Sequence, residues 1–161
     1  MAAVTTETSE VIILEETTTS DFSIAEALAA YMWAHHSDPN CTQLTKSATT
    51  IEFKIDEPLP DMVHSIFGAT ISMHETAQIL SDGNFESECV GTLPQAIVRA
   101  QMTFTSSGNN TSIRTLVALT WKTEVTDFVK RGVSAFIAGK TQKYRDDLAT
   151  NLKIYKSKQQ K

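Results

Sequence analysis

The chain has 161 residues, of which 41% are hydrophobic and 20% are charged, and its formal net charge is −5. This length and composition are typical of one globular domain that buries a core without disulfides or a metal ion. No apolar run approaches the roughly 20 residues that a membrane-spanning helix needs, so we expect no such helix.

The first ten residues and the cysteines indicate the cellular compartment. Met1–Glu10 is rich in threonine and acidic residues and lacks the basic flank and apolar stretch of a secretory signal. We therefore predict a cytoplasmic protein, with residues 1–9 as a disordered segment. Cys41 and Cys89 fit that compartment as reduced thiols. They form no CxxC motif and no Cys/His cluster of zinc spacing, so we expect no metal and no cofactor.

Charge is unevenly distributed along the chain. Residues 1–121 carry 4 Lys and Arg against 15 Asp and Glu, whereas residues 122–161 carry 10 against 4. The simplest interpretation is a basic C-terminal helix that packs on an acidic sheet. The alternative is transient contact of that helix with an anionic membrane. Nucleic acid is not expected as a partner, because no basic stripe with interleaved aromatic residues is present.

The first half of the chain predicts a strand, a helix, a second strand and a short helix. Their bounds are Glu10–Thr18, a helix capped by Ser20 or Ser23 that ends near His35, Leu44–Ile55, and Asp61–Phe67. The strands are rich in β-branched residues or alternate apolar and polar side chains. Serine is a preferred N-cap, and Gly68 suits the left-handed conformation that ends a helix.

A meander of four strands is predicted between about Ala69 and Lys122. The strands are Ala69–Leu80, Phe85–Leu93, Ile97–Thr105 and Ile113–Lys122. Tight turns such as Asp82-Gly83 separate them. Consecutive strands joined in this way indicate one antiparallel sheet with one buried face.

A long amphipathic helix is predicted from about Gly132 to Tyr155, followed by a frayed tail, 157–161. Its apolar stripe consists of Val133, Ile137, Tyr144, Leu148, Leu152 and Tyr155, with Phe136 at the edge. This spacing is typical of a helix with one buried face. With the meander it predicts an α+β helix-grip fold over residues 10–156, in which a curved antiparallel β-sheet wraps around the C-terminal α-helix. Such a grip typically encloses an apolar cavity.

The order of elements resembles the START-like helix-grip (SRPBCC) superfamily, which includes lipid-transfer START domains, plant pathogenesis-related allergens and polyketide cyclases. Within it, three stretches are similar to the bacterial family called domain of unknown function 2505. Leu59–Gly68 resembles its short proline-led helix, and Val125–Tyr155 resembles its final helix. Ile71–Leu80 resembles its TVTxTETW strand through Glu75-Thr76. The superfamily implies an apolar cavity between sheet and helix, whereas the family implies no known reaction.

The inward face of the meander and of the last helix supplies the predicted ligand-binding residues. They are Ile71, Met73, Glu75, Met102, Phe104, Val117, Leu119, Phe136 and Ile137. Glu75 shares the strand phase of its apolar neighbours, so its carboxylate could face the cavity. In that position burial should raise its pKa and disfavour the ionised form, unless Thr115, Ser87 or a basic group hydrogen-bonds it. There it could orient a polar ligand group or transfer a proton. Alternatively, Glu75 lies at a strand end and reaches solvent.

Histidines supply the other candidate groups. His64 lies on the short helix that could cover the cavity mouth, which makes it, with Glu75, a candidate for catalysis. His74 falls in the outward phase of its strand. His35 and His36 come at the end of a helix, where they are predicted to stabilise its C-terminus electrostatically. No catalytic motif is present, so no residue is assigned a catalytic role.

Three functions stay open on this sequence. The leading hypothesis is a carrier or sensor that binds a hydrophobic small molecule or lipid in an internal cavity. The second is a cyclase- or hydrolase-like enzyme that uses a pocket carboxylate, and the third is a ligand-free protein-interaction module. A cavity above about 300 Å³ favours binding or catalysis, and a filled core favours the interaction module. No oligomeric state is predicted.

Overall fold

A computed structural model describes residues 10–159 and, within that range, every side chain except those of residues 144, 145 and 159. The elements in chain order are β1 (Glu10–Ser20), α1 (Ile24–Ser37), β2 (Cys41–Lys46), β3 (Thr50–Pro58), a 3₁₀ turn (Asp61–Val63), α2 (His64–Phe67), β4 (Thr70–Ile79), β5 (Phe85–Thr92), β6 (Ala96–Ser107), β7 (Asn110–Trp121) and α3 (Asp127–Gln159). The predicted disordered segment, 1–9, and the last two residues of the predicted frayed tail lie outside the described residues. Residues 157–159 of that tail continue α3 as helix.

The described strands form one antiparallel sheet in the order β1-β7-β6-β5-β4-β3-β2. Each predicted strand of the meander is present and pairs with the next one along the chain. β1 returns to pair with β7, so β1 and β2 form the two edges. Alternating burial confirms the predicted inward face, which holds Ile71 on β4, Val98 on β6 and Val117 on β7.

The predicted single strand Leu44–Ile55 is wrong, because the structure has a hairpin there, formed by β2 and β3. The Ser47 amide donates to the Thr50 carbonyl at 2.8 Å, and the Ser47 hydroxyl accepts the Thr50 amide at 3.0 Å. The segment contains no glycine or proline, so the usual sequence signals of a turn are missing. A serine side chain closes the turn instead.

α1 begins with a capping box at Ser23. The Ser23 hydroxyl accepts the Glu26 amide at 3.2 Å, and the Ser23 amide donates to the Glu26 carboxylate at 3.0 Å. This selects Ser23 from the two predicted caps. The buried face of α1 carries Ala27, Tyr31 and His35, each four residues from the next, as expected for one side of a helix.

Two buried clusters lie between the sheet and the helices. The aromatic core comprises Ala27, Ala30, Tyr31, Ile51, Phe53, Ala77, Phe85, Met102, Phe104, Ile113, Leu148 and Leu152. The aliphatic core comprises Leu59, Ile71, Leu93, Ala96, Val98, Val117, Leu119, Val133 and Ile137. α3 contributes to both clusters, and it therefore spans the concave side of the sheet as predicted.

α3 is longer than predicted, because it begins at Asp127 and continues to Gln159. Four residues of the predicted stripe are buried: Val133, Ile137, Leu148 and Leu152. Tyr155 is half-buried, and the side chain of Tyr144 lies outside the described set. Within residues 10–159, no helix combines the length and the apolar character needed to cross a membrane.

Ion pairs join the basic α3 to acidic residues elsewhere in the domain. Lys140 lies 3.2 Å from Glu57 of β3, and Lys156 lies 2.9 Å from Glu26 of α1. These contacts agree with the simpler interpretation of the charge asymmetry, in which a basic helix packs on an acidic body. Partly exposed pairs of this kind contribute little to stability, typically about 0–1 kcal/mol each.

Candidate functional site

A cavity of about 370 Å³ lies between α3 and the concave face of the sheet. Its wall is drawn from α1, α2, strands β3 to β7 and α3, and it is mostly apolar. The wall includes members of both the aromatic core and the aliphatic core, so the cavity occupies the space between them.

Small side chains at the centre of the sheet leave this space unfilled. Cys89 of β5 is paired with Ala100 of β6, and Ser87 lies two residues along β5 on the same face. In the aromatic core, Phe85 and Phe104 occupy the equivalent positions, and their rings stack with centroids 4.1 Å apart. Protein interiors are close-packed, so the change from phenylalanine to serine, cysteine and alanine opens a void beneath α3.

Seven of the nine predicted ligand-binding residues lie in the cavity wall. They are Ile71, Met73, Glu75, Met102, Val117, Phe136 and Ile137. Phe104 and Leu119 share the inward face but are not in the wall, because Phe104 is packed inside the aromatic core and Leu119 inside the aliphatic core. Alternation along a strand indicates the face of a residue, and it carries no information on how far that residue lies from a cavity. Ligand binding by the seven stays a prediction.

His64 contacts the backbone instead of the cavity. Its Nε2 atom lies 2.7 Å from the carbonyl oxygen of Leu59, which can only accept, so Nε2 carries the proton and donates. His64 is half-buried and is not one of the wall residues. Its hydrogen bond closes the turn before α2, and the predicted ligand contact finds no support. His74 is exposed, as its strand phase predicts.

A buried polar cluster forms part of the wall. Glu75 of β4 is only 7% exposed, which excludes the alternative that it reaches solvent. Its Oε2 atom accepts a 2.6 Å hydrogen bond from the hydroxyl of Tyr31 on α1. The same oxygen forms an ion pair with Nε2 of His35, one turn further along α1. Tyr31, His35 and Glu75 are referred to below as the polar cluster.

The hydrogen bonds of His35 determine where its protons lie. Nδ1 is 2.8 Å from the main-chain carbonyl of Tyr31, so Nδ1 must donate. Nε2 faces the Glu75 carboxylate, which favours a second proton there. Burial lowers the pKa of His35, but the hydrogen bond and the charge of Glu75 outweigh burial and raise that pKa above its ordinary value. With an acceptor facing each ring nitrogen, His35 is placed to act as an imidazolium that pairs with the Glu75 carboxylate.

His35 lies in the last turn of α1, where it was predicted, but its pairing with Glu75 and the role of Tyr31 were missed. One signal could have shown both: Tyr31 and His35 are four residues apart on the face of α1 that also carries apolar residues. A tyrosine and a histidine on an apolar helix face need buried polar partners. Their partner, Glu75, is 44 residues away from Tyr31, and a single sequence does not reveal that pairing.

Apart from the charged residues of the rim, the remaining polar groups of the wall are neutral. Ser87 and Thr115 are buried, and neither hydroxyl makes a hydrogen bond within the described part of the chain. Cys89 of the wall and Cys41, which lies outside it, are free thiols, as predicted. Burial raises the pKa of Cys89 strongly and that of Cys41 to about 11, so neither thiol is an activated nucleophile.

Charged residues form the rim where the cavity meets the surface. The rim includes Asp38, Glu57, Lys140 and Asp147, of which Lys140 and Asp147 are exposed. Lys140 pairs with Glu57, and Asp147 pairs with Lys143 at 2.6 Å. In the described residues, no group of three or more His, Cys, Asp and Glu side chains is placed to hold a metal ion.

No protein-family model matches the sequence, and no curated protein matches it. Solved structures do match. The Zhui aromatase/cyclase from Streptomyces sp. R1128 has a TM-score of 0.66 at 7% identity, over 90% of this chain and 94% of that one. Human STARD10 has a TM-score of 0.59 at 12% identity, over 98% of this chain and 69% of that one.

The chain has the START-like helix-grip fold. A norcoclaurine synthase from Thalictrum flavum extends the comparison, with a TM-score of 0.59 at 10% identity over 94% of this chain and 99% of that one. Identities this low establish a shared fold and carry no activity from one protein to another.

Proposed function

We propose that this protein binds a hydrophobic small molecule in the cavity beneath α3, as a carrier or sensor. The observation that carries the proposal is the 370 Å³ cavity, which the small side chains of β5 and β6 leave open. Ligand pockets typically measure about 300–1,000 Å³ and combine an apolar wall with a few polar groups. An unfilled space of this size also argues against a ligand-free interaction module.

The volume favours a compact ligand. It lies at the low end of the range for ligand pockets, so a molecule of two or three fused rings or one short chain fits, and a diacyl phospholipid with two long chains does not. Within the broad class of lipids, we therefore propose a single-chain or polycyclic compound.

Titration with the neutral fluorophore N-phenyl-1-naphthylamine tests the proposal. Saturable binding is expected, and Ala100→Phe, which places a large ring in the cavity wall, should weaken it by about tenfold or more, equivalent to about 1.4 kcal/mol. Ala135→Phe is the matched control, because Ala135 is on the exposed side of α3. Absence of saturable binding to the folded wild type would overturn the proposal, as would equal affinity of the two variants.

An enzyme is the second candidate, and the His35–Glu75 pair favours it. A buried carboxylate hydrogen-bonded to an imidazolium and a phenol can move a proton to or from a bound substrate. Two of the structures with the same fold are an aromatase/cyclase and a norcoclaurine synthase. Glu75→Gln separates the candidates: an enzyme should lose turnover by about 100-fold or more, whereas a carrier should lose only part of its affinity.

Several further assignments are proposals that rest on sequence alone. They are membership of the domain of unknown function 2505 family, a cytoplasmic location, a domain spanning residues 10–156, and transient membrane contact through the basic part of α3. A vesicle-sedimentation assay tests the proposed membrane contact. The protein should sediment with anionic vesicles and not with neutral vesicles.

A further inference from the structure

The two carboxylate oxygens of Glu75 have different surroundings. Oε2 is occupied by the Tyr31 hydroxyl and by Nε2 of His35. Oε1 has no hydrogen-bond partner among the described groups of the protein, although Glu75 is part of the cavity wall. The carboxylate oxygens of a buried residue normally accept hydrogen bonds. Oε1 is therefore an acceptor that is held in place by the polar cluster and left for a ligand.

The described part of the cavity wall offers no unpaired positive charge. Both nitrogens of His35 are occupied, by Tyr31 and by Glu75. Lys140 pairs with Glu57, and it is the only Lys or Arg in the described cavity wall. Ser87 and Thr115 can donate hydrogen bonds, but they carry no charge. An anionic ligand group placed beside Glu75 would lose its hydration without gaining a cationic partner.

The charged residues of the rim also make the site unfavourable for anions. Asp38, Glu57 and Asp147 supply three carboxylates around the mouth, of which Glu57 pairs with Lys140 and Asp147 with Lys143. Asp38 accepts a 2.8 Å hydrogen bond from the Asn40 amide and forms no ion pair among the described residues. The local field therefore disfavours the approach of anions and favours neutral or cationic molecules.

We infer that the ligand is a compact apolar molecule that presents a hydrogen-bond donor, a hydroxyl or a protonated amine, to Oε1 of Glu75. A carboxylate or phosphate ligand, including a fatty acid, is excluded from that position. The inference rests on the proposed function and adds the chemical class of the ligand to it. The polar cluster acts as a binding group in this view, with Tyr31 and His35 as positioning residues.

Three naphthalene compounds of similar size test the inference at pH 7 by isothermal titration calorimetry. 2-Naphthol carries a donor, 2-methoxynaphthalene has no donor, and naphthalene-2-carboxylate is an anion. The wild type should bind 2-naphthol about tenfold or more tightly than either of the others. In Glu75→Gln this preference should fall to less than about threefold. Glu86→Gln is the matched control, because Glu86 is at an exposed position of β5. This variant should keep the wild-type preference for 2-naphthol.

The outcomes distinguish the inference from the proposal on which it rests. If naphthalene-2-carboxylate binds as tightly as 2-naphthol, the exclusion of anions is overturned and the binding function stands. If 2-methoxynaphthalene binds as tightly as 2-naphthol, the claim that the ligand must donate a hydrogen bond to Glu75 is overturned. If none of the three binds while the protein is folded, the proposed function fails and the inference fails with it. The wild-type series decides these cases even if Glu75→Gln does not fold.

Discussion

The hydroxyl of Tyr31 donates a 2.6 Å hydrogen bond to Oε2 of Glu75, which joins the middle of α1 to the centre of β4. Both side chains are buried. The Tyr31 ring also contacts Phe53, Phe85 and Phe104, with centroids 5.7–6.5 Å away. Tyr31 thus fixes α1 against four strands: its ring contacts β3, β5 and β6, and its hydroxyl holds the Glu75 carboxylate of β4 at the cavity.

Tyr31→Phe removes the hydroxyl and leaves the ring contacts in place. We expect a loss of about 1.5–3 kcal/mol in the free energy of unfolding, as for other hydrogen bonds to charged groups. Urea denaturation measures it. Tyr155→Phe is the matched control, since the half-buried Tyr155 makes no hydrogen bond through its hydroxyl within the described residues. Equal effects of the two substitutions would contradict the role given to Tyr31.

His35→Gln should destabilise the protein more at low pH than at high pH. The folded-state pKa of His35 is raised, so the native state binds its proton more tightly than the unfolded state does. The stabilisation is complete below the unfolded-state pKa of about 6.5, and it is lost as pH rises through the folded-state value. Near pH 6, breaking this buried pair should cost about 3–5 kcal/mol.

The comparison is a series of unfolding curves for wild type and His35→Gln between pH 6 and pH 9. Glu75, Asp38 and the Tyr31 carbonyl all raise the pKa of His35. The pH dependence of the unfolding free energy therefore reports their combined effect. A difference that grows with pH would show that His35 is buried in its neutral form.

Leu152→Ala and Leu148→Ala form a matched pair on α3. Both leucines are buried in the aromatic core, but only Leu148 is also part of the cavity wall. Leu148 therefore has fewer neighbours to lose. We expect about 3–5 kcal/mol for Leu152→Ala and about 2–3 kcal/mol for Leu148→Ala, by urea denaturation. The reverse order would indicate that the cavity is filled in solution.

Gly139→Ala should stabilise the protein by about 0.5–1 kcal/mol, because Gly139 lies inside α3 and an added Cβ meets nothing within 4 Å. Gly83→Ala is the contrast. Its surroundings are equally open, but its φ of 88° is in the left-handed region, so alanine there should cost about 1–2 kcal/mol. Thermal melts of the two variants should shift in opposite directions.

Periodicity predicted the faces of the strands and helices, and that was sufficient for the fold and for seven of the nine residues predicted to line the cavity. It failed where a side chain replaced the usual signal, as Ser47 does in the turn between β2 and β3. It also failed for contacts between distant elements. The pairing of His35 with Glu75 depends on how α1 crosses the sheet, and no local pattern encodes that crossing.

The division of the interior into two cores has a consequence for how the protein melts. On α3, Val133 and Ile137 belong to the aliphatic core and Leu148 and Leu152 to the aromatic core, and no described side chain between Ile137 and Leu148 is buried. An empty cavity thus leaves two hydrophobic units joined by few side chains, and heat can loosen one before the other. A bound molecule touches both, so loading the protein should sharpen two overlapping transitions into one cooperative transition.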